Sequence, residues 1–535
     1  MARSQSRLLV WLLLIGFASA HASESRPAAQ CKALAVTDFS AVADAPTRIT
    51  EARLVETTRD LIGDLGVPAA PQVAAIAVKH MGSIQPYCRV RGYAAVSVGF
   101  ELLLPLDHWN GKFLHVGCSD WCGSTAQVGL ECGKHPGYAC IGSNMGHTGN
   151  TGAWFRTNPQ AVIDFSYRAT HVATLAGKAI TERYYATRPR KSYFVGCSTG
   201  GYQGMVEAQR FPADFDGIVA GAPDMDESDL AVRSIWIKQN FFDRRGRPVL
   251  NPEEIRLLHQ AALAKCDLDD GVKDGIVGDP VHCKFDPGEL LCKSGDTRHC
   301  LTAQQVTAVR NIYGAPVSSK GVVLSTRGVL PGSELAWAEM FADGWGDEYF
   351  RDTALLTTPG RQWTYTDFDF DRDYARSGVG VLFSDTDPDL RRFKAAGGKL
   401  ISYQGGNDAV EIPGAIFAYY ETVEKTMGGR AATQDFFRLF AVPGMNHCTG
   451  GEGPFLVDYL SYLEVWVEQG TAPDAMTALH VSGLARNESY LLNAKPDPGM
   501  PIAFARPLYP YPQFARYSGR GDPNKAENFE PATGK

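Results

Sequence analysis

The sequence predicts an open α/β sheet whose functional loops follow the C-terminal ends of its strands, and three stretches carry that expectation. The apolar run Tyr193-Phe194-Val195 enters Gly196-Cys197-Ser198-Thr199-Gly200 and leaves through Gly201-Tyr202-Gln203-Gly204-Met205-Val206-Glu207-Ala208, which reads as strand, tight turn and helix. Lys399–Gln404 reads as a second strand, opening into Gly405-Gly406-Asn407-Asp408. Phe437–Val442 is a third, ending at Pro443-Gly444-Met445-Asn446-His447-Cys448. Each sets a chemically able side chain just past a strand end, where open α/β sheets bind their ligands.

The first stretch has the form Gly-x-Ser-x-Gly. In such an elbow the serine adopts a strained backbone conformation, and small residues two positions either side let the chain pack closely around it. A bare match means little among 55 glycines; the strand and helix on its flanks give it weight. A serine hydroxyl becomes a useful nucleophile only when a base takes its proton, and the base needs an acid to fix its tautomer. The chain order Ser198, Asp408, His447 is that of the α/β-hydrolases. Taken singly, Asp408 reads equally well as a turn aspartate and His447 as a loop histidine. Order, strand context and two neighbouring cysteines favour the joint reading. A bridge between Cys197 and Cys448 would close a loop of about 250 residues, contributing up to roughly 5 kcal/mol. It would also keep the two Cα atoms within about 7 Å, and so the serine beside the histidine.

Composition is consistent with an exported enzyme. The chain has 535 residues, 44% of them hydrophobic, and a formal net charge of −7, so one compact core is not the default expectation and a main domain with a large insertion is. The charge argues against nucleic acid as a partner, because neutralising phosphates requires basic surface. Arg3 and Arg7 precede the apolar Leu8–Phe17, and the small-residue sites Ala18-Ser19-Ala20 and Ala20-His21-Ala22 follow. This is a signal-peptide pattern, its apolar stretch short of the roughly 20 residues that span a bilayer. We expect residues 1–22 to be a signal peptide, the mature chain to be secreted or periplasmic, and no membrane association after cleavage. Twelve cysteines, an even number, point to disulfides.

With these residues in view, the chain resembles the tannase and feruloyl esterase family, which includes the mono(2-hydroxyethyl) terephthalate hydrolases. The resemblance runs from about Cys31 to Phe529 and rests on the cysteine-serine, aspartate and histidine-cysteine arrangement. It extends to Phe211-Pro212-Ala213-Asp214-Phe215-Asp216-Gly217-Ile218, Thr386-Asp387-Pro388-Asp389-Leu390 and Pro443–Cys448. It implies an α/β-hydrolase core over 23–222 and 387–535 with a lid domain inserted at 223–386. Ser198 would be nucleophile, His447 base and Asp408 the orienting acid. It implies the pairs Cys31 with Cys88, Cys197 with Cys448, Cys266 with Cys283 and Cys292 with Cys300. Cys118, Cys122, Cys132 and Cys140 are left to pair among themselves; the rival for these four, a zinc site, matches zinc spacings poorly. Family members often carry a further bridge from a Cys-Pro-Tyr-Pro string, where this chain has Tyr509-Pro510-Tyr511-Pro512.

An oxyanion hole takes one backbone N–H from the residue after the nucleophile, here Thr199, and another from an earlier glycine-containing loop. The strand-like Lys112–Val116 opens into Gly117-Cys118-Ser119-Asp120, where the resemblance leads one to expect a run of glycines. The choice between Gly117 and Cys118 stays open. In the insertion, Cys266–Ile276 resembles the family's calcium loop: Asp267, Asp270 and Asp274 would supply side chains, and Val272 and Ile276 carbonyl oxygens, to a structural Ca2+. The bland alternative is an acidic surface turn. No organic cofactor is expected. Trp345–Phe350 and Trp363–Phe370 concentrate aromatics that would stack on a planar acyl group or form the insertion's own core. His147 precedes the serine in the wrong order and reads as structural. Asn487-Glu488-Ser489 fits a glycosylation sequon.

The expected activity is carboxylic-ester hydrolysis through an acyl-enzyme, on a small aromatic ester, free or carried on a plant polysaccharide or polyphenol. By the resemblance, feruloyl-type hydroxycinnamates come first, gallates second and terephthalate monoesters third. A serine peptidase and a non-catalytic carbohydrate-binding protein are the rivals from other classes.

Overall fold

The computed structural model describes residues 26–534 except 59, 61–83, 296–297, 343, 356–358, 361, 377–379, 484–494 and 497–498. The signal-like N-terminus and the sequon at Asn487 lie outside the described residues.

Nine strands form one sheet: β1 (Thr47–Val55), β2 (Tyr87–Ala94), β3 (Val98–Pro105), β4 (Lys112–Val116), β5 (Ala139–Ser143), β6 (Lys191–Cys197), β7 (Gly217–Gly221), β8 (Lys399–Gly405) and β9 (Phe437–Val442). Their order is β1-β2-β3-β5-β4-β6-β7-β8-β9. The β1–β2, β2–β3 and β3–β5 pairs are antiparallel, and every pair from β5–β4 to β8–β9 is parallel. This is the α/β-hydrolase architecture expected from the order of its candidate residues. The strands anticipated at Lys112, Tyr193, Lys399 and Phe437 are β4, β6, β8 and β9. β1, β2, β3, β5 and β7 were not legible. All eight residues of β3 are buried, so the strand shows no alternation of polar and apolar residues.

Helices explain that burial. Using α1 (Arg26–Leu34), α2 (Ala169–Tyr185), α3 (Thr199–Arg210), α4 (Glu227–Phe241), α5 (Pro252–Cys266), α6 (Ala303–Tyr313), α7 (Gly414–Thr426) and α8 (Tyr459–Gln469) for the longer ones, α1, α2, α3 and α7 cover one face. Phe113, Phe194, Ile218 and Leu400 point into that layer. Their chain neighbours Leu114, Val195, Val219 and Ile401 point into the other, against α8 and the hairpin of β10 (Met476–Val481) and β11 (Ile502–Leu508). Covering both faces leaves the parallel strands apolar throughout.

Among the described residues, those between Gly221 and Lys399 add no strand to this sheet. They build α4, α5 and α6 around a separate core centred on Trp337, which is fully buried against Phe241, Tyr313 and Phe341. Capping boxes at Asn251 and Thr302 start α5 and α6 by satisfying backbone donors the first turn leaves open. Tyr349, Phe350, Trp363 and Phe368 of this segment join the first face's core instead.

All twelve cysteines are paired. The four bridges implied by resemblance are formed, and the remaining thiols join as Cys118–Cys122 and Cys132–Cys140. That leaves no thiolate for zinc. Where the Cys-Pro-Tyr-Pro bridge would begin, hydrogen bonds hold the chain: Tyr511 donates its N–H to the Leu439 carbonyl (2.7 Å) and its hydroxyl to Glu421 Oε1 (3.0 Å).

Truncating Trp337→Ala empties the insertion's core and should cost about 3–5 kcal/mol, read as a lowered urea midpoint. A cost below about 1 kcal/mol would show that this core is not a packed unit.

Candidate active site

Ser198 is the residue between β6 and α3. Its φ of 63° and ψ of −129° lie where a non-glycine residue is strained by about 1–3 kcal/mol. Neighbouring backbone holds it there: the Ser198 N–H donates to the Gly221 carbonyl (3.1 Å), and the Ser198 carbonyl accepts from Tyr202 N–H (3.0 Å). The flanking glycines are required by contact. A Cβ on Gly196 would come 2.5 Å from the Gly200 carbonyl oxygen, and one on Gly117 would come 2.7 Å from Gly200 Cα.

Asp408 follows β8 and is fully buried. Its Oδ1 accepts the N–H groups of Val410 (2.9 Å) and Glu411 (3.0 Å), and its Oδ2 accepts from Gln404 Nε2 (3.0 Å). The same Oδ2 lies 2.9 Å from His447 Nδ1. Donation from Nδ1 turns the basic Nε2 away from the acid. His447 itself is carried on the loop after β9. Asn407 N–H donates to the Met445 carbonyl (2.9 Å) and Gly406 N–H to the Val442 carbonyl (2.8 Å), tying the acid's loop to the histidine's. The two approach so closely that a Cβ on Gly405 would stand 2.5 Å from the carbonyl oxygens of both Met445 and Asn446. Cys197 and Cys448 are bonded, their Cα atoms 6.0 Å apart across a separation of 251 residues. Ser198 and His447 thereby face one cavity of about 640 Å³.

Thr199, Gly117 and Cys118 line that cavity too. Thr199 opens α3, where helical N–H groups have no intrahelical partner. The Gly117 N–H is committed to the Val195 carbonyl at 2.8 Å. Cys118 is fixed by its bridge to Cys122 and by Gln203 Nε2, 2.8 Å from its sulfur. His147 is buried against Trp154, at 4.0 Å between ring centroids, with Nε2 2.7 Å from the Trp121 carbonyl oxygen. It is packed as a core residue.

Two buried carboxyls of the cavity wall, Glu227 and Glu411, were not singled out in the sequence. Burial, then the charge of Asp224, holds both well above the usual carboxylate range; Glu411 also has the Ser198 hydroxyl as a hydrogen-bond partner. Burial pushes Asp224 up to about 7. The spacing Asp408-x-x-Glu411 was the available signal, since a turn that folds back on Asp408 carries its fourth residue toward the same cavity. Of the two aromatic stretches, only Trp345 lines the cavity, stacked between Trp121 and Tyr349. A second concavity of about 670 Å³, beside Asp226 and Tyr374, is lined by no histidine or cysteine.

The acidic loop of the insertion curls as a ligand loop does. Asp267 accepts the N–H groups of Asp274 (3.1 Å) and Gly275 (3.2 Å), Asp270 accepts that of Val272 (2.9 Å), and Arg506 Nη2 lies 2.6 Å from Asp274 Oδ2. Asp267 and Asp270 are buried, and Arg506 is paired with Asp274. The set fits a hard cation, which takes carboxylate and carbonyl oxygens. Elsewhere, His171, Glu207 and Asp214 bring one potential ligand atom each within 4.8 Å.

The fold and these groups define a serine-hydrolase arrangement on an α/β-hydrolase sheet. The tannase and feruloyl esterase model matches residues 79–532. The chain is 33% identical over 563 residues to mono(2-hydroxyethyl) terephthalate hydrolase of Piscinibacter sakaiensis, covering 89% of this chain and 90% of that one. It is 31% identical over 544 residues to probable feruloyl esterase B-1 of Aspergillus fumigatus, covering 96% and 98%. Feruloyl esterase B from Aspergillus oryzae superposes with a TM-score of 0.78 at 26% identity, covering 95% of this chain and 100% of that one. The chain belongs to the tannase and feruloyl esterase family, whose members are carboxylic ester hydrolases.

Gly405→Ala should force the acid and histidine loops apart, costing about 1–3 kcal/mol in a denaturant melt and lowering kcat with it. A variant of parental stability and activity would show that the close approach is unimportant. Replacing Cys197 and Cys448 together by alanine should remove up to roughly 5 kcal/mol, seen as a lower urea midpoint.

Proposed function

We propose that the protein is an exported serine carboxylic-ester hydrolase acting through an acyl-enzyme on esters of aromatic acids, feruloyl-type hydroxycinnamates first. The observation that carries this reading is the convergence of Ser198 and the Asp408–His447 pair on one cavity, joined by the Cys197–Cys448 bridge. Feruloyl esterases among the relatives support the choice of acyl group, with gallates and terephthalate monoesters behind it. Six disulfides support export. No helix among the described residues is long and apolar enough to cross a membrane.

The mechanism follows from the groups in place. Ser198 Oγ attacks the ester carbonyl carbon while His447 Nε2 takes its proton, and Asp408 stabilises the imidazolium through Nδ1. The oxyanion receives the N–H groups of Thr199 and Cys118; Cys118 is preferred to Gly117 because the Gly117 amide is spent on Val195. The tetrahedral species collapses, the C–O bond to the alcohol breaks, and His447 returns the proton to the departing oxygen. Water, activated by the same histidine, then releases the acid and restores Ser198. Residues 223–386 act as the lid: Leu230, Met340, Phe341 and Trp345 line the cavity that Ser198 also lines and give a planar ring an apolar surface. Asp267, Asp270 and Asp274, with the carbonyls of Val272 and Ile276, would hold a structural Ca2+. When bound it neutralises buried carboxylates that Arg506 alone does not balance.

Ser198→Ala should lower kcat by roughly a millionfold and abolish fluorophosphonate labelling. Labelling retained in that variant would remove Ser198 from the mechanism. Asp408→Asn should lower kcat about 10⁴-fold with little change in fold by circular dichroism. A p-nitrophenyl ester should be cleaved and the matching anilide spared, separating esterase from peptidase. Methyl ferulate should lead methyl gallate and mono(2-hydroxyethyl) terephthalate in kcat/KM. Chelation should lower the melting temperature of the parent and leave Asp270→Asn unmoved; equal effects on both would place any cation elsewhere.

A further inference from the structure

Resting on that ester-hydrolase reading, we propose that the Cys118–Cys122 bridge is a positioning device for the oxyanion hole. With Thr199 and Gln203 it locks the loop that bears the Cys118 amide to the helix that bears the Thr199 amide. Global stability is not its main effect. The stabilisation a disulfide brings through the unfolded chain grows with the loop it closes, and this one spans a separation of 4 residues against 251 for Cys197–Cys448. What it fixes is local, a turn whose residues Gly117 to Asp120 line the same cavity as Ser198.

That turn needs holding. Asp120 and Cys122 stand at positive φ, 55° and 58°, in the left-handed region that residues with a Cβ keep only when their surroundings over-determine it. Three ties do so. The bridge joins the two arms of the turn. Thr199 Oγ1 donates to the Asp120 carbonyl (2.7 Å). The buried Gln203, one helical turn further along α3, places Nε2 2.8 Å from Cys118 Sγ and 3.7 Å from Cys122 Sγ. Residues four apart share one face of a helix, so Thr199 and Gln203 grip the turn from the same side. Backbone contact completes the fit, since a Cβ on Gly200 would come 3.0 Å from the Cys118 carbonyl oxygen. The two amides that the mechanism gives to the oxyanion therefore belong to one body. Such donors act by standing in place before the charge develops. A loosened turn would cost the transition state more than the bound ester, whose carbonyl oxygen carries less charge.

The test cuts the tie and leaves both amides in the chain. In the full mature enzyme, Cys118→Ala together with Cys122→Ala should lower kcat on a p-nitrophenyl ester about 100-fold, the loss that a misplacement of roughly 1 Å brings. KM should stay within about threefold. Phenylboronic acid, whose boron takes Ser198 Oγ and becomes a tetrahedral anion while the proton passes to His447, should lose affinity in parallel with kcat. Thr199→Val keeps the amide and removes the bond to Asp120; it should lower kcat about tenfold, Thr199→Ser should restore it, and the pair decides the matter should the double variant fail to fold. Cys292→Ala together with Cys300→Ala breaks another short bridge, of separation 8, that does not line the cavity, and should leave kcat at the parental value. Parental kcat and boronate affinity in the Cys118 and Cys122 double variant, or parental kcat in Thr199→Val where the double does not fold, would overturn the proposal. A loss of equal size in the Cys292 and Cys300 variant would overturn it too. A parent that cleaves no p-nitrophenyl ester and takes no fluorophosphonate would instead overturn the ester reading, and this inference with it.

Discussion

The Cys197–Cys448 bridge is the constraint on which the site depends, because of where the sheet puts its ends. Ser198 follows β6 and His447 follows β9, with β7 and β8 between them. At about 4.8 Å per strand, the serine and histidine strands stand roughly 14 Å apart. Proton transfer needs their side chains in contact, so the loop after β9 must reach back across the ends of two strands. The bridge holds it there, and the Asn407–Met445 and Gly406–Val442 hydrogen bonds brace the loop where it passes β8. Parallel pairing does the rest. It aligns the C-terminal ends of β6, β8 and β9 on one edge, and the chain delivers Ser198, Asp408 and His447, the proposed reacting groups, there in order.

Backbone contact, more than side-chain packing, sets the tolerance of this edge. Gly117, Gly196 and Gly200 touch one another under the serine, and Gly405 touches the histidine loop. Ser198 is held in its strained conformation because the surrounding main chain leaves no other place for it. The catalytic geometry is therefore a property of packed backbone, locked by one covalent link.

The cavity wall carries a cost of another kind. Asp224, Glu227 and Glu411 are buried near one another with Arg233 as a partial counter-charge, an arrangement that burial makes unfavourable. Destabilising groups of this sort concentrate at sites where function requires them. The same cavity is also lined by Trp345 and Phe341, which give it an apolar surface.

Much of the site was legible in the chain. Gly-x-Ser-x-Gly between an apolar run and a helix, followed by two further strand-loop units with Asp408 and His447, is a local pattern, and local patterns survive in sequence. Of the antiparallel strands β1 to β3, none was legible; in β3 burial on both faces erased the alternation that marks a strand. The bridges Cys118–Cys122 and Cys132–Cys140 span only 4 and 8 residues, but spacing alone left the pairing of these four thiols open; the spending of the Gly117 amide on Val195 and the convergence of Glu227 with Glu411 depend on residues far apart in the chain. The sequence by itself determined which residue types stand after which strands, and hence the class of chemistry. Only the tertiary structure decided that the Gly117 amide is spent on Val195 and that Glu227 and Glu411 are buried together in the cavity wall, because both are set by through-space distances between segments that covalent order leaves unrelated.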